Sequence, residues 1–312
     1  MISRRLLRIL AMKALYQHGM DGSSAADARR ALNFSIYKSY ELYFQMLDLV
    51  VSVAAEVEVV LNQRKNKLRP TEADLNPSMR FPENRVVAQL RRSEAFNDFK
   101  SKNGISWQGH GEVVRRMALN LLESDYYADY LRSADDYNTD KEFVAEFYLR
   151  SVDDFAMLYD ALEEMSGYWA DEVEYFTSFV IKSVRGFKQR MCGEPGSPDL
   201  DLFPMYKDAS DADFVKRLLS GALDNRDRYM GYIDEVTRNW DPERIAYMDK
   251  VIILLGISEL ENFPDIPLKV TLDEYIEISK YYSTQGSSVY VNGMLDKIAS
   301  LLCERGLVDK RQ

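Results

Sequence analysis

Three arginines open the chain at a spacing that suits phosphate. At roughly 100° per residue, Arg4, Arg5 and Arg8 fall within one arc of roughly 100° on a helix running from residue 4 to 17. Leu6 and Leu10 point elsewhere, and Tyr16 stands at the far end of the same helix. Cationic forks on a rigid helix hold phosphate oxygens in fixed positions. A second set lies near the other terminus, in Gln285-Gly286-Ser287-Ser288 with Tyr290. Small polar side chains at a helix start can hydrogen-bond bases, backbone N–H groups there can receive phosphate, and a tyrosine ring can stack. Each set has a plainer alternative: a solvated helix face for the first, a helix cap for the second. The run of lysines and arginines from Arg64 to Arg69 is a weaker third place of this kind and reads as a solvated loop.

Nothing assembles into a catalytic centre. The two histidines, His18 and His110, are far apart, one at a helix end and one in a glycine-flanked loop. Acidic pairs such as Asp153-Asp154 and Glu163-Glu164 are indistinguishable from solvated helix faces. There is no Gly-x-Gly-x-x-Gly run after a strand, no glycine-rich loop ending in Lys-Ser or Lys-Thr, and no Gly-x-Ser-x-Gly. Cys192 and Cys303 belong to no metal-like or redox-like cluster and read as free thiols in a reducing compartment. The reading is therefore a binding protein, not an enzyme, with no catalytic residue, metal or cofactor.

The charge balance restricts what it binds. With 40 Lys and Arg against 50 Asp and Glu, the net charge of -10 excludes a broad basic surface of the sort that non-specific nucleic-acid binders use. A nucleic-acid contact must be a local basic patch on an acidic body. The longest apolar runs, such as Val251 to Ile257, are too short to span a bilayer, and the N-terminus lacks a signal-peptide core. A soluble cytoplasmic protein is expected.

The elements that must position these residues read as helices throughout, an all-α fold. Nine prolines and fifteen glycines are few for 312 residues, 46% of them hydrophobic. Helical periodicity is clear over 27–64, 83–102, 113–130, 140–165 and 169–191, with many aromatics that read as core. Residues 192–208 carry Gly193, Pro195, Gly196, Pro198 and Pro204, the strongest linker signal. Beyond it, helices are expected over 213–235 and 243–260. Asp241 would cap the second, with Pro242 in its first turn. That helix is apolar almost all round at Val251 to Leu255, which marks it as central. Thr271 and Glu274 have the spacing of a capping box. In the last helix Val291, Met294, Leu295, Ile298 and Leu302 form the buried stripe, and Gly293 is expected to admit a neighbouring helix or partner.

In order and content these segments resemble the NusB family of transcription antitermination factors. The resemblance rests on Arg4-Arg5 with Ala14-Leu15-Tyr16, on Phe214 to Gly221, and on Trp240-Asp241-Pro242-Glu243-Arg244. It continues through Glu259-Leu260, Ile266-Pro267 and Tyr290-Val291-Asn292-Gly293-Met294-Leu295-Asp296. The C-terminal match covers about residues 213 to 303. Ile9, Lys13, Val289 and Tyr290 depart from the family, which commonly has Glu, Gln, a basic residue and Phe there. The resemblance implies a NusB-like helical bundle with a large helical insertion: residues 1–20 as its arginine-rich helix, 21–210 as the insertion, 211–312 as the rest of the core. It implies an RNA-binding adaptor that recognises boxA RNA of nascent ribosomal transcripts together with ribosomal protein NusE, within the transcription elongation complex. The RNA face would comprise Arg4, Arg5, Arg8, Tyr16, Gln285, Ser287, Ser288 and Tyr290, and the NusE contact would lie around Asp249. The alternative is a helical protein-interaction scaffold of NusB-like fold that has lost RNA binding. Some ribosomal RNA methyltransferases carry a NusB-like domain, but a chain ending at Gln312 is not expected to hold the catalytic domain they need.

Overall fold

The computed structural model describes residues 2–153, 155–193, 196–237 and 245–309, and among these there are fifteen helices and no strand. They divide into two compact units, one of residues 1–36 with 204–312, the other of residues 37–203. The Trp240–Arg244 motif, including the expected Asp241–Pro242 helix start, lies outside the described residues.

The first unit carries both candidate sets. Its helices are α1 (Arg4–Asp21), the start of α2 (Ala25–Arg64), α11 (Ala209–Asp224), α12 (Arg226–Val236), α13 (Tyr247–Asn262), α14 (Leu268–Tyr282) and α15 (Ser287–Glu304). α1 begins where the Ser3 hydroxyl accepts the Leu6 N–H and ends at Gly22, whose φ of 66° gives the left-handed cap a glycine adopts without strain. The helix runs past the expected end at residue 17, so Gly19 lies inside it. Its lack of a side chain leaves room for the Tyr247 hydroxyl, which a Cβ would strike.

α13 is the hub of this unit, packing against α1, α11, α12, α14 and α15. Every residue from Val251 to Leu260 is buried, as the unbroken apolar run requires. Helix approach to α13 depends on Gly221 and Gly256. A Cβ at Gly256 would lie 2.6 Å from a Leu295 methyl on α15, and one at Gly221 would strike Ser258 and Asn262. Gly293 does not have this role, since a Cβ there meets nothing within 4 Å. Among the described residues, no neighbouring helix explains it.

Two further expectations need correction. The helix read over 213–235 is two helices, broken at Asn225, which closes α11 through its N–H to the Gly221 carbonyl. Thr271 and Glu274 form no capping box. α14 starts at Leu268, directly after Pro267, and that earlier start places Thr271 inside the helix, fully buried.

The second unit contains the rest of α2, then α3 (Glu72–Leu75), α4 (Arg85–Arg92), α5 (Glu94–Asn103), α6 (Gly111–Glu123), α7 (Asp125–Arg132), α8 (Tyr137–Ser151), α9 (Ala156–Met165) and α10 (Val173–Gly186). The expected helical stretches 83–102 and 113–130 are each split at a serine. Ser93 and Ser124 each cap the following helix by accepting the backbone N–H of its third residue, Phe96 and Tyr127 respectively. Many of the aromatics are core, as expected, among them Tyr127, Phe143, Phe147, Tyr148, Trp169 and Phe176, while Tyr126, Phe155, Tyr159 and Tyr175 are half-buried. Tyr148 is buried and donates to the Met46 carbonyl at 2.7 Å, and Tyr43 pairs with Ser183 at 2.5 Å. Among the described residues no helix is long and apolar enough to cross a membrane, and no group of His, Cys, Asp and Glu is arranged to hold a metal ion.

Candidate nucleic-acid interface

The three arginines of α1 share an arc, but they do not share an environment. Arg4 and Arg5 keep 41% and 50% of their side-chain surface exposed, while Arg8 keeps 3%. Arg8 is turned into the bundle and forks onto Glu259 of α13, with Nε and Nη2 donating at 2.7 and 2.8 Å. Thr271 and Tyr275 of α14 donate to the same carboxylate at 3.0 and 3.1 Å. Four side chains from three helices therefore satisfy one another where water does not reach. Burial works against the charged Arg8, but its hydrogen bonds and Coulomb attraction to Glu259 prevail and raise its pKa. Arg8 is thus removed from the phosphate-facing set: it is a buried structural residue, and the reason is the carboxylate beneath it.

Arg5 and Arg4 reach outward but are also paired. Arg5 forks onto Glu274 at 2.8 and 2.9 Å. Arg4 donates to Asp211 at 2.8 Å and to Ser210 at 3.2 Å. The guanidinium groups of Arg4 and Arg8 each lie 5.1 Å from the centre of the Phe214 ring.

At the other end of α1 the structure brings together residues distant in sequence. Tyr16 packs against Tyr247, the first residue of α13, with ring centres 5.4 Å apart. The Lys13 ammonium lies 5.9 Å from the centre of the Tyr282 ring, at the end of α14. Asp249, in the first turn of α13, is buried and holds the loop between α14 and α15. The Ser283 hydroxyl donates to its Oδ1 at 2.6 Å and the Ser287 hydroxyl to its Oδ2 at 3.0 Å. Asp249 is therefore not a surface residue awaiting a protein partner; its two oxygens clamp the two ends of a short loop.

That clamp decides which loop residues can be reached. Ser287 is buried, whereas Gln285 and Gly286 are exposed and Ser288 is half-buried. Gly286 takes φ of 91° at the start of α15. Tyr290 is half-buried, and its hydroxyl is pushed up to about 12, first by burial and then by the charge of Asp249. Arg4 and Tyr16 are twelve residues apart on one helix, roughly 18 Å at 1.5 Å per residue. The accessible candidates form a track along the unit instead of a single pocket.

Sequence reasoning missed the carboxylates that organise this face: Glu259, Glu274, Asp211 and the buried role of Asp249. One of them did leave a signal. A glutamate at 259, within a helix apolar on every side, demands a buried cation nearby. Charge is also distributed unevenly. Residues 37–203 hold 20 Lys and Arg against 29 Asp and Glu, while the remainder holds 20 against 21. The acidity that argues against nucleic acid thus belongs almost entirely to the unit without the candidate track.

Comparison with known proteins places the family match almost wholly in the same unit. The model of the NusB family matches residues 199–300, which leaves α1 outside the matched span. The transcription antitermination protein NusB of Myxococcus xanthus is 35% identical over 96 residues, covering 31% of this chain and 69% of that protein. The NusB protein of Salinibacter ruber is 36% identical over 107 residues, covering 34% and 67%, and that of Geotalea uraniireducens 39% identical over 92 residues, covering 30% and 63%. No solved structure matches. With more than two thirds of a relative's length matched at this identity, the chain belongs to the NusB family.

Proposed function

We propose that this chain is a transcription antitermination factor that binds boxA RNA of nascent ribosomal transcripts together with a NusE-type ribosomal protein. It acts as a cytoplasmic adaptor within the elongation complex, not as an enzyme. The observation that carries this reading is the clamped loop: in a unit of NusB descent, Asp249 holds Ser283 and Ser287 so that Gln285 and Ser288 are presented at the start of α15. Arg4 and Arg5 supply phosphate contacts, and Lys13 and Tyr16 lie between them and the loop. Arg8, Ser287 and Asp249 act through position only. The unit of residues 37–203 is an added helical body carried by the NusB-like core.

The test is affinity of the full chain for boxA RNA, with and without NusE, across a salt series. Steep salt dependence, and tighter binding with NusE present, are the expected results. Salt-independent or sequence-indifferent binding would remove the proposal.

One observation favours a second reading, a helical interaction scaffold that no longer binds RNA. Each of the three α1 arginines is already bound to a carboxylate of its own chain. A phosphate must displace Asp211 or Glu274 to engage Arg4 or Arg5. Retention of NusE without boxA RNA in a pull-down would select this reading.

A further inference from the structure

The unit of residues 37–203 has a groove of about 520 Å³ between α7 and α8, lined by none of the candidate RNA-binding residues. Tyr126, Tyr130 and Phe143 form its apolar lining, and Asp129, Glu142 and Glu146 stand along it. The Tyr130 and Phe143 rings stack at 3.8 Å with 12° between their planes, and Tyr126 lies 5.8 Å from Phe143. The surrounding chain is strongly one-signed. From residue 123 to 174 there are 16 Asp and Glu against three basic residues, Arg132, Lys141 and Arg150.

The groove is built to keep its shape. The Tyr130 hydroxyl donates at 2.8 Å to Asp140, a buried carboxylate that also receives Arg85 at 2.8 Å. Arg80 donates to the carbonyls of Tyr130, Ser133 and Ala134 and lies 4.2 Å from the Tyr130 ring centre, which fixes the turn joining the two helices. A preformed surface loses little ordering entropy on binding.

One end of the groove already shows what chemistry it accepts. The Arg150 guanidinium lies 5.6 Å from the centre of the Tyr126 ring while bonded to Glu146. This is a cation over an aromatic face with a carboxylate beside it. Glu142 and Asp129 have pairs of their own, with Arg185 at 3.2 Å and Arg132 at 2.6 Å. These pairs are open to solvent and exchange readily with an incoming cation.

We propose that the α7–α8 groove docks an arginine-bearing peptide segment of a basic protein partner. Arginine suits it better than lysine, because a weakly hydrated planar group can stack on Tyr126 and fork onto Glu142 or Glu146 together.

The test uses the full chain and fluorescein-labelled peptides of alternating arginine and leucine, lysine and leucine, or glutamate and leucine, followed by anisotropy at low and moderate salt. The arginine peptide should bind several-fold tighter than the lysine peptide, and the glutamate peptide not at all. Glu142→Arg with Glu146→Arg should weaken the arginine peptide at least tenfold. Tyr126→Ala should weaken it several-fold, with Tyr126→Phe retaining binding. Asp160→Arg with Glu163→Arg, an equal charge change on α9 outside the groove, should leave affinity unchanged. Thermal melts of each variant identify any that fail to fold, and the α9 pair and Tyr126→Phe keep the comparison decisive. Equal loss from both charge reversals would mean bulk electrostatics only and overturn the proposal, as would equal affinity for arginine and lysine peptides or no binding.

Discussion

Arg8 and Glu259 form a closed pair, two hydrogen bonds of 2.7 and 2.8 Å between side chains that water does not reach. They lie 251 residues apart and tie the first helix to the central one. Arg8→Ala leaves the Glu259 carboxylate buried beside Thr271 and Tyr275 without its cation. The expected loss is about 3–5 kcal/mol of unfolding free energy, measured by urea titration. Replacing both partners, Arg8→Met with Glu259→Leu, should recover much of that, because no charge is then left unpaired. A mild single mutant would show that the pair is not the tie we describe.

Asp249 joins the start of α13 to both ends of the α14–α15 loop. Asp249→Ala removes the acceptor for Ser283 and Ser287 and is expected to cost about 1–3 kcal/mol. Amide exchange of residues 284–290 should accelerate more than that of α13 itself. If the RNA proposal holds, boxA affinity falls in proportion to the loop's disorder, although Asp249 touches no RNA.

The glycines give a contrast of opposite sign. Gly256→Ala places a methyl against Leu295 and should destabilise by about 1–3 kcal/mol, as overpacking does. Gly293→Ala meets open space on the same pair of helices, and helix propensity favours it by about 1 kcal/mol. Thermal melts of the two variants should move in opposite directions. If Gly293→Ala keeps the fold but loses a partner in a pull-down, that face of α15 is an interface.

Acid should act through Glu274. The side-chain hydrogen bond from Arg5 comes first in holding this carboxyl below its ordinary value of 4.5, with Arg8 also contributing. A folded-state pKa below the unfolded one gives stability that is complete above the ordinary glutamate range and is lost as pH falls through the folded value. Urea midpoints should therefore drop on acidification below about pH 4.5, and Arg5→Gln should flatten that limb of the curve.

The proposed RNA track has its own variant. Arg4→Ala with Arg5→Ala removes two exposed cations while leaving the Arg8–Glu259 tie in place. It should reduce the slope of log affinity against log salt by roughly 1–2 for boxA RNA, at little cost in stability. An unchanged slope would take the N-terminal helix out of the RNA face.

Periodicity and composition were sufficient for the all-α fold, the central burial of the helix through Val251–Leu260 and the final stripe from Val291 to Leu302. Those features follow from local spacing, since a helix that is apolar on a given face must bury it. Segment order sufficed for the family, because motif succession is a property of the chain. What the sequence could not determine is which side of the protein each polar residue faces. Arg4, Arg5 and Arg8 are equivalent on a helical wheel, yet Glu259 draws Arg8 into the core and leaves the other two at the surface. Thr271 and Glu274 have capping-box spacing, yet a helix that starts at Leu268 assigns one to Glu259 and the other to Arg5. Asp249, around which a partner contact is expected, is buried and anchors a loop. Each of these choices depends on a partner far along the chain. Hydrophobic period is written locally, whereas the desolvation of a charge is settled only when the helices meet.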